Sequence, residues 1–325
     1  MIGLLGIIVL LTIAIAMSNN RKGINFRIIG WGLGLQLTFA LFILKTPIGK
    51  PLFGFLVKFI SKLISFSDAG GDFLFTSFVP DVGFHTALIN FAFRALPTII
   101  FFSALMSVMY HLGIIQFVVK WIAKAMQKTM GTSGSETLSV SANIFVGQTE
   151  APLMVRPFIG KMTQSELMVV MVGGFATVAG GVLAIYVIWL TDIPGIAGHL
   201  LAASVMSAPA ALVIAKIIYP ETEDSETMGD LKIEVEKTSS NAMEALGNGA
   251  TDGLKLAANV AAMLLAFISI VAMINYMLGF ANTSIDQILG LIFQPLAWTM
   301  GVPWEESAIM GTLMGLSLIH ISEPT

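Results

Sequence analysis

The chain has 325 residues, of which 56% are apolar and only 11% are charged, and its formal net charge is −3. This composition excludes an ordinary soluble globular protein and predicts an integral membrane protein. The chain has no cysteine, which excludes disulfides, thiolate metal sites and cysteine nucleophiles. Because the charge is small and no basic stripe with interleaved aromatic residues is present, nucleic acid is not an expected partner.

The N-terminal part of the chain predicts membrane helices, because its apolar runs are long enough to cross a bilayer. The first run, 1–17, lacks a basic leader and a cleavage pattern, so it predicts a membrane helix rather than a signal peptide. It is followed by Arg21, Lys22 and Arg27, which the positive-inside rule places in the cytoplasm, with the N-terminus outside. A second span is expected at about 28–44.

The next segments alternate between helices and a loop. Residues 50–66 carry lysines on one face and apolar residues on the other, which predicts a helix lying flat on the membrane. Residues 67–83 predict an irregular loop. A third span is expected at 89–111, where Pro97 predicts a kink or an interruption. Residues 114–130 have lysines at four-residue spacing, which predicts an amphipathic helix with one cationic face.

The middle of the chain contains a segment that is apolar at both ends and polar in between. This segment, 136–161, predicts a hairpin that enters and leaves the membrane on the same side. Further spans are expected at 165–190 and 198–219. Residues 219–249 are charged and poor in apolar residues, which predicts a loosely held cytoplasmic loop. A long helix is then expected at 252–280.

The polar centre of the predicted hairpin is Gln148, Thr149 and Glu150, which lie between Gly147 and Pro152. A carboxylate at membrane depth is costly and marks a functional site by default. Glycine and proline break helices, and the half-helices that meet at a break offer free amides and carbonyls to a polar solute and a cation. Together the amide, hydroxyl and carboxylate can recognise the edge of a heterocycle. We therefore predict a solute site here, with a buried structural network as the alternative.

The residues around this break resemble the first re-entrant hairpin of the concentrative nucleoside transporters. The resemblance is carried by residues 143–153 (Asn-Ile-Phe-Val-Gly-Gln-Thr-Glu-Ala-Pro-Leu), by Arg156-Pro157-Phe158 and by residues 161–167, 93–98 and 179–184. It covers the chain from Met1 to about Leu316. The fold that it implies is an all-α polytopic membrane protein with a re-entrant hairpin and an inverted-repeat transporter architecture.

The resemblance also implies the components of the site. Nucleobase contacts would come from Gly147, Gln148, Thr149, Glu150 and Val182. Sodium ligands would come from the Asn143 and Thr177 side chains and from the Val146 and Val178 carbonyls. Such neutral oxygen ligands favour sodium over a proton, although proton coupling through Glu150 is an alternative. No cofactor is expected.

In function, the resemblance implies nucleoside import by cation symport and alternating access, carried out by a homotrimer in lipid of the inner (plasma) membrane. A channel for a polar solute is a weaker alternative, because it would require a continuous polar path. An enzyme is not expected, because Glu150 is accompanied by no nucleophile with a base partner and by no metal cluster.

The C-terminus departs from the family pattern after Leu316. The family continues into a second hairpin tip and two helices with ribose ligands, so the second repeat is expected to be incomplete and the chain an incomplete copy. Six segments follow from these features. They are scaffold helices with an interfacial helix at 1–66, a third span with an amphipathic helix at 67–130, the first hairpin and following helices at 131–218, an acidic loop at 219–250, a long helix with the start of a second hairpin at 251–316, and a non-native tail at 317–325.

Overall fold

The computed structural model describes residues 2–47, 49–75, 91–145, 148, 151–178, 180–190, 192–228, 239–280 and 282–321. The described residues form helices and no strand, which confirms the predicted all-α class. The helices are α1 (Ile2–Ala16), α2 (Phe26–Lys45), α3 (Gly49–Phe75), α4 (Phe91–His111), α5 (Ile114–Met130), α6 (Gly134–Asn143), α7 (Ala151–Val155), α8 (Gln164–Ala176), α9 (Gly180–Trp189), α10 (Ile196–Ile218), α11 (Ala242–Gly279), α12 (Ile285–Thr299) and α13 (Trp304–Ile321).

Several described helices are suited to a membrane. Three are long and apolar enough to cross one, at Phe26–Ile43, Ile196–Ile218 and Ala242–Gly279. α4 and α5 pass the same test together, but they are bent by 77° at the break between them. The bend lies at Gly113, whose φ of 78° is left-handed, whereas α4 continues through Pro97. Of the kink or interruption predicted at Pro97, the interruption is wrong, because α4 is continuous there. The bend after α4 lies at a glycine, which has no Cβ to oppose this conformation.

Two helices extend beyond their predicted ends. α3 continues to Phe75, although an irregular loop was expected from residue 67. Its buried Ser67 donates to Oγ1 of Thr98 on α4 at 3.1 Å, so a polar side chain that suggested a loop is paired inside the protein. α13 continues to Ile321 and thus enters the segment predicted to be a non-native tail.

The described parts of the acidic segment after α10, 219–228 and 239–249, differ from the loosely held loop that the composition predicts. α11 begins at Ala242, and residues 219–228, which we call the strap, make hydrogen bonds to the starts of α6 and α8. Thr227 in the strap is only 1% exposed. The strap is held in place because its hydroxyl groups and backbone find partners on these two helices, and residues 229–238 of the predicted loop lie outside the described residues.

α6 lies at the centre of the unit formed by residues 19–258. Every residue from Ser135 to Asn143 is buried, although the helix is rich in serine and threonine. α6 packs against α5, α7, α8 and α10, and its Leu138 joins an apolar cluster with Val119 of α5. A buried helix of this polarity needs hydrogen-bond partners from its neighbours.

The other unit comprises residues 1–18 and 259–325. In it α12 and α13 form a tight helical pair, since a Cβ on Gly311 would lie only 2.6 Å from the carbonyl oxygen of Gly290. α1 packs against α12. α13 begins at Trp304, where the Gly-Val-Pro-Trp sequence predicts the start of a helix.

A close approach of α11 to α4 gives a first testable prediction. A Cβ on Gly253 would lie 2.8 Å from Cα of Ile100 and 2.8 Å from Cβ of Ser103. We expect Gly253→Ala to lower the free energy of unfolding by about 1–3 kcal/mol, because the backbone of α4 must move. At Gly247 a Cβ would meet nothing within 4 Å, so Gly247→Ala should instead raise stability by about 0.5–1 kcal/mol. Thermal unfolding in detergent measures both, and shifts of the same sign would contradict the close approach.

Candidate cation and solute site

α6 and α8 begin in the same way. Ser133 forms a capping box with Glu136 at the start of α6, and Thr163 forms one with Glu166 at the start of α8. The N–H of Ser133 donates to Oε1 of Glu136, and the N–H of Thr163 donates to Oε2 of Glu166, both at 2.8 Å. Each box satisfies polar groups at a helix start that would otherwise be buried without partners.

The strap holds these two helix starts side by side. Oγ1 of Thr227 donates to Glu166 at 2.6 Å and lies 2.7 Å from Oγ of Ser135. The N–H of Gly134 donates to the Thr227 carbonyl at 3.0 Å, and Oγ of Ser225 donates to Glu166 at 2.5 Å. A single strap residue, Thr227, therefore bonds to both helices.

Lys216, near the C-terminal end of α10, completes this network. Its Nζ lies 2.8 Å from Oε2 of Glu136 and 3.1 Å from Oε2 of Glu221, and it donates to Oγ of Ser165 at 2.9 Å. The side chain is only 5% exposed. The ammonium donates to Ser165 and Glu221, and its charge is also paired with Glu136, as a buried charge requires. Lys216 thus connects α10 to α6, to α8 and to the strap.

The opposite ends of α6 and α8 are also neighbours, so the two helices run parallel. A Cβ on Gly173 of α8 would lie 2.8 Å from Cγ2 of Val140 and 3.5 Å from Nδ2 of Asn143, the last residue of α6. A Cβ on the adjacent Gly174 would lie 3.0 Å from Cβ of Gln148. The two glycines therefore allow the end of α6 and Gln148 to approach α8 closely.

A helix break follows directly after the C-terminal end of α8. α8 ends at Ala176 and α9 begins at Gly180, so the single span predicted at 165–190 is in fact two helices. Thr177 is extended at the break, and its Oγ1 donates to the carbonyl of Gly173 at 3.1 Å. The C-terminal ends of α6 and α8 come together here, and each carries partial negative charge from carbonyls without intrahelical partners. Such a place favours a cation.

Asn143 lies at this point with its polar atoms unused. It has no exposed surface, and within the described part of the chain neither Nδ2 nor Oδ1 has a hydrogen-bond partner. A buried polar group without a partner costs about 1–3 kcal/mol, and such groups are rare in native proteins. The amide is therefore available to a ligand, and its oxygen is of the type that a hard cation prefers.

The predicted sodium ligands are only partly described. Asn143 lies beside Gly173 of α8. Thr177 follows Gly173 by one helical turn and donates to its carbonyl, so the structure brings the two predicted ligands near each other. The side chain of Val178 packs against an apolar cluster that includes Leu183. Val146, the fourth predicted ligand, lies outside the described residues.

The predicted nucleobase contacts are described for two residues. Gln148 is half-buried beside Gly174, and Val182 is half-buried in α9, on the far side of the break. Gly147, Thr149 and Glu150 lie outside the described residues.

The Lys216 network is missing from the sequence predictions. The available signal is the repeated Ser/Thr-x-x-Glu pattern at 133–136 and 163–166, which is typical of helix starts. This pattern marks the starts of two helices, α6 and α8. Hydropathy alone predicts only one hairpin followed by one span in the same region.

Comparison with known proteins gives three family matches in chain order. Residues 5–78 match the Na+ dependent nucleoside transporter N-terminus, residues 92–191 match the nucleoside recognition "Gate" family, and residues 199–321 match the Na+ dependent nucleoside transporter C-terminus. Together these matches cover both units of the chain.

Individual relatives agree with these matches. An uncharacterized transporter of Haemophilus influenzae is 43% identical, over 97% of this chain and 76% of its own length. Sodium/nucleoside cotransporter 1 of Mus musculus is 42% identical, over 96% of this chain but only 48% of its own length. The solved structure of CNTnw in an inward-facing substrate-bound state is 42% identical with a TM-score of 0.89, and the match covers 99% of this chain and 79% of that chain.

Proposed function

Because the chain belongs to the Na+-dependent nucleoside transporter family, we propose that it is a secondary active transporter that imports nucleosides together with a cation. It is a multi-pass helical membrane protein rather than a soluble one. The observation that carries the coupling part of the proposal is the buried, unpartnered amide of Asn143 at the joined ends of α6 and α8.

Sodium is the coupling cation in this proposal. Its ligands are the side-chain oxygens of Asn143 and Thr177 and the carbonyls of Val146 and Val178. The Thr177 hydroxyl donates its proton to Gly173, so its lone pairs remain free to accept a cation. The partial charges of two helix C-terminal ends supply the rest of the attraction. An amide and a hydroxyl do not titrate near neutral pH, which supports sodium over a proton at this position.

The nucleobase site lies beside the cation site in this proposal. Gln148, Thr149 and Glu150, with Gly147, supply polar contacts to the base, and Val182 packs beside it. The packing of Gln148 against Gly174 supports this arrangement, because Gly174 is adjacent to the glycine that contacts Asn143. Sodium that orders this region would raise the affinity for nucleoside, which is the differential binding that coupling requires.

The transport cycle follows from this coupling. The hairpin and the helices that flank the break move as one body against a trimeric scaffold in the plasma membrane and expose the site to each side in turn. The chain spans about three quarters of the Haemophilus influenzae relative and about half of the mouse cotransporter.

Uptake of labelled uridine tests the proposed function. We expect cells that lack their own nucleoside carriers to accumulate uridine in sodium medium when they express this chain joined to the C-terminal portion of a family member, and to lose that uptake when choline replaces sodium. Glu150→Gln should abolish uptake while membrane expression is retained, because it removes the carboxylate that contacts the base. Uptake driven equally well by an acid pulse without sodium would establish proton coupling instead. Uptake unaffected by either ion gradient would contradict the symport proposal.

A further inference from the structure

α6 has two faces with different partners. On the face towards α5, Leu138 and Ala142 join the apolar cluster that contains Val119. Ser141, on the same face, donates to Sδ of Met126 at 3.6 Å. This face is packed in the apolar cluster, to which α5, α7 and α8 also contribute.

The other face is polar. Glu136, Ser139 and Asn143, which we call the polar stripe, follow one another at spacings of three and four residues and so lie within an arc of about 60° on the helix. Their exposed fractions are 1%, 0% and 0%. Glu136 contacts Lys216 of α10, and Asn143 lies beside Gly173 of α8, so the stripe lies between α6, α8 and α10.

Two members of the stripe have polar atoms without partners. In the described part of the chain, Oγ of Ser139 and both polar atoms of the Asn143 amide make no hydrogen bond. Native proteins rarely bury such groups, and each one calls for an explanation such as an unseen ion or water. Two of them one helical turn apart on the same face suggest a shared ligand.

The other end of the stripe opens into a cavity. This cavity has a volume of about 260 Å³, and its lining includes Glu136, Lys216 and Glu221. Seven residues of helix, a rise of about 10 Å, separate Glu136 from Asn143. The network at the cavity holds the carboxylates of Glu136, Glu221 and, through Thr163, Glu166. Among the residues that line the cavity, two are carboxylates, Glu136 and Glu221, and one is an ammonium, Lys216.

We propose that Ser139 is a second, transient binding position for the coupling cation, on a route along the polar stripe between Asn143 and this cavity. This inference rests on the proposed function, which supplies the cation. The Ser139 hydroxyl offers an oxygen midway, one helical turn from Asn143 and one from Glu136, and the excess of carboxylates at the cavity attracts a cation to that end. The Ser139 hydroxyl lacks a hydrogen-bond partner in the described residues because its oxygen binds the cation transiently.

Cysteine accessibility tests the route, because the chain has no cysteine of its own. Ser139→Cys and Ser141→Cys place one thiol on each face of α6, at positions with the same 0% exposure. We expect cationic methanethiosulfonate ethylammonium to modify the Ser139→Cys variant at least about tenfold faster than the Ser141→Cys variant, because only the former lies on a route that concentrates cations. Sodium should slow the reaction, and an anionic reagent of the same size should react more slowly. Intact-protein mass spectrometry measures each rate.

Equal rates for the two variants, or no preference for the cationic reagent, would overturn the route. Ser139→Ala provides a second measurement, because it removes the unpartnered hydroxyl without enlarging the side chain. We expect it to keep or raise the melting temperature and to slow the release of radiolabelled sodium several-fold, whereas unchanged release would also overturn the proposal. The rise in melting temperature that uridine gives the unmodified chain in the presence of sodium is measured in parallel. If this rise is absent, the proposed function fails and the route fails with it. If the rise is present while Ser139→Cys is unreactive, only the route fails.

Discussion

Lys216→Met is expected to lower the free energy of unfolding by about 3–5 kcal/mol, because it removes one partner from a buried ion pair and leaves the other charge uncompensated. Glu136 is 1% exposed and lies 2.8 Å from the Lys216 ammonium. Methionine matches much of the lysine side chain in length and shape, so the loss comes from charge rather than from a cavity. Thermal and denaturant unfolding of the purified chain in detergent measure the change.

Two further variants separate the buried pair from a general effect of removing a lysine. Lys255→Met removes a lysine whose pair with Asp252 has both side chains 71% exposed, and we expect it to cost no more than about 1 kcal/mol. Glu136→Gln combined with Lys216→Met removes both charges, and this double variant should recover most of the stability lost in the single one. If the stability lost in the double variant equals the sum of the losses in Lys216→Met and in Glu136→Gln alone, the pair does not interact as the structure indicates.

The position of Lys216 makes its loss matter for more than stability. The network joins the starts of α6 and α8, and the opposite ends of the same two helices hold Asn143 and Thr177. Because the helices are parallel and closely packed, a shift between their starts changes the distance between the cation ligands at their ends. We therefore attribute to this network the alignment of the two helices on which the candidate site depends.

The sequence predicts the helices best where a local pattern specifies them. The lysine spacing predicts a helix over residues 114–130, and α5 has the same bounds in the structure, at Ile114–Met130. The span expected at 198–219 corresponds to α10 at Ile196–Ile218. In both, periodicity and length over one continuous segment are sufficient.

The sequence does not predict features that depend on distant contacts. Oγ of Ser135 bonds to Oγ1 of Thr227, 92 residues away, and no local pattern encodes that pair. Without it, the acidic strap has the composition of a solvated loop. The break after α8 is equally hard to predict, because residues 167–190 carry no charge and read as one apolar run. In the structure the helix ends at Ala176, and Thr177 is extended. The solute site was predicted from the polar break and the sodium ligands from the resemblance to a family, whereas the unpartnered state of Asn143 required the structure.

Asn143→Leu is expected to remove the sodium dependence of nucleoside binding without destabilising the chain. A neutral oxygen that contacts a buried charge contributes about 1.5–3 kcal/mol, so its loss should weaken sodium binding roughly 10–100-fold. The measurement is the melting temperature as a function of sodium concentration, with and without uridine. For the unmodified chain the melting temperature should rise with sodium, because a ligand that binds only the folded state stabilises it by mass action.

The sign of the stability change without sodium distinguishes a ligand from a structural residue. If the Asn143 amide were part of a hydrogen-bonded core, leucine would break those bonds and lower the melting temperature in every buffer. The amide has no partner in the described residues, so replacing it with an apolar side chain of similar size removes an unsatisfied group and should keep or raise the melting temperature in sodium-free buffer. Asn143→Asp is the matched comparison, because it retains the oxygens and should retain the response to sodium. A leucine variant that is less stable in sodium-free buffer yet still responds to sodium would place the cation elsewhere. The opposite pattern, higher stability with no response, is what a protein shows when it keeps a costly buried group for the ligand that the group binds.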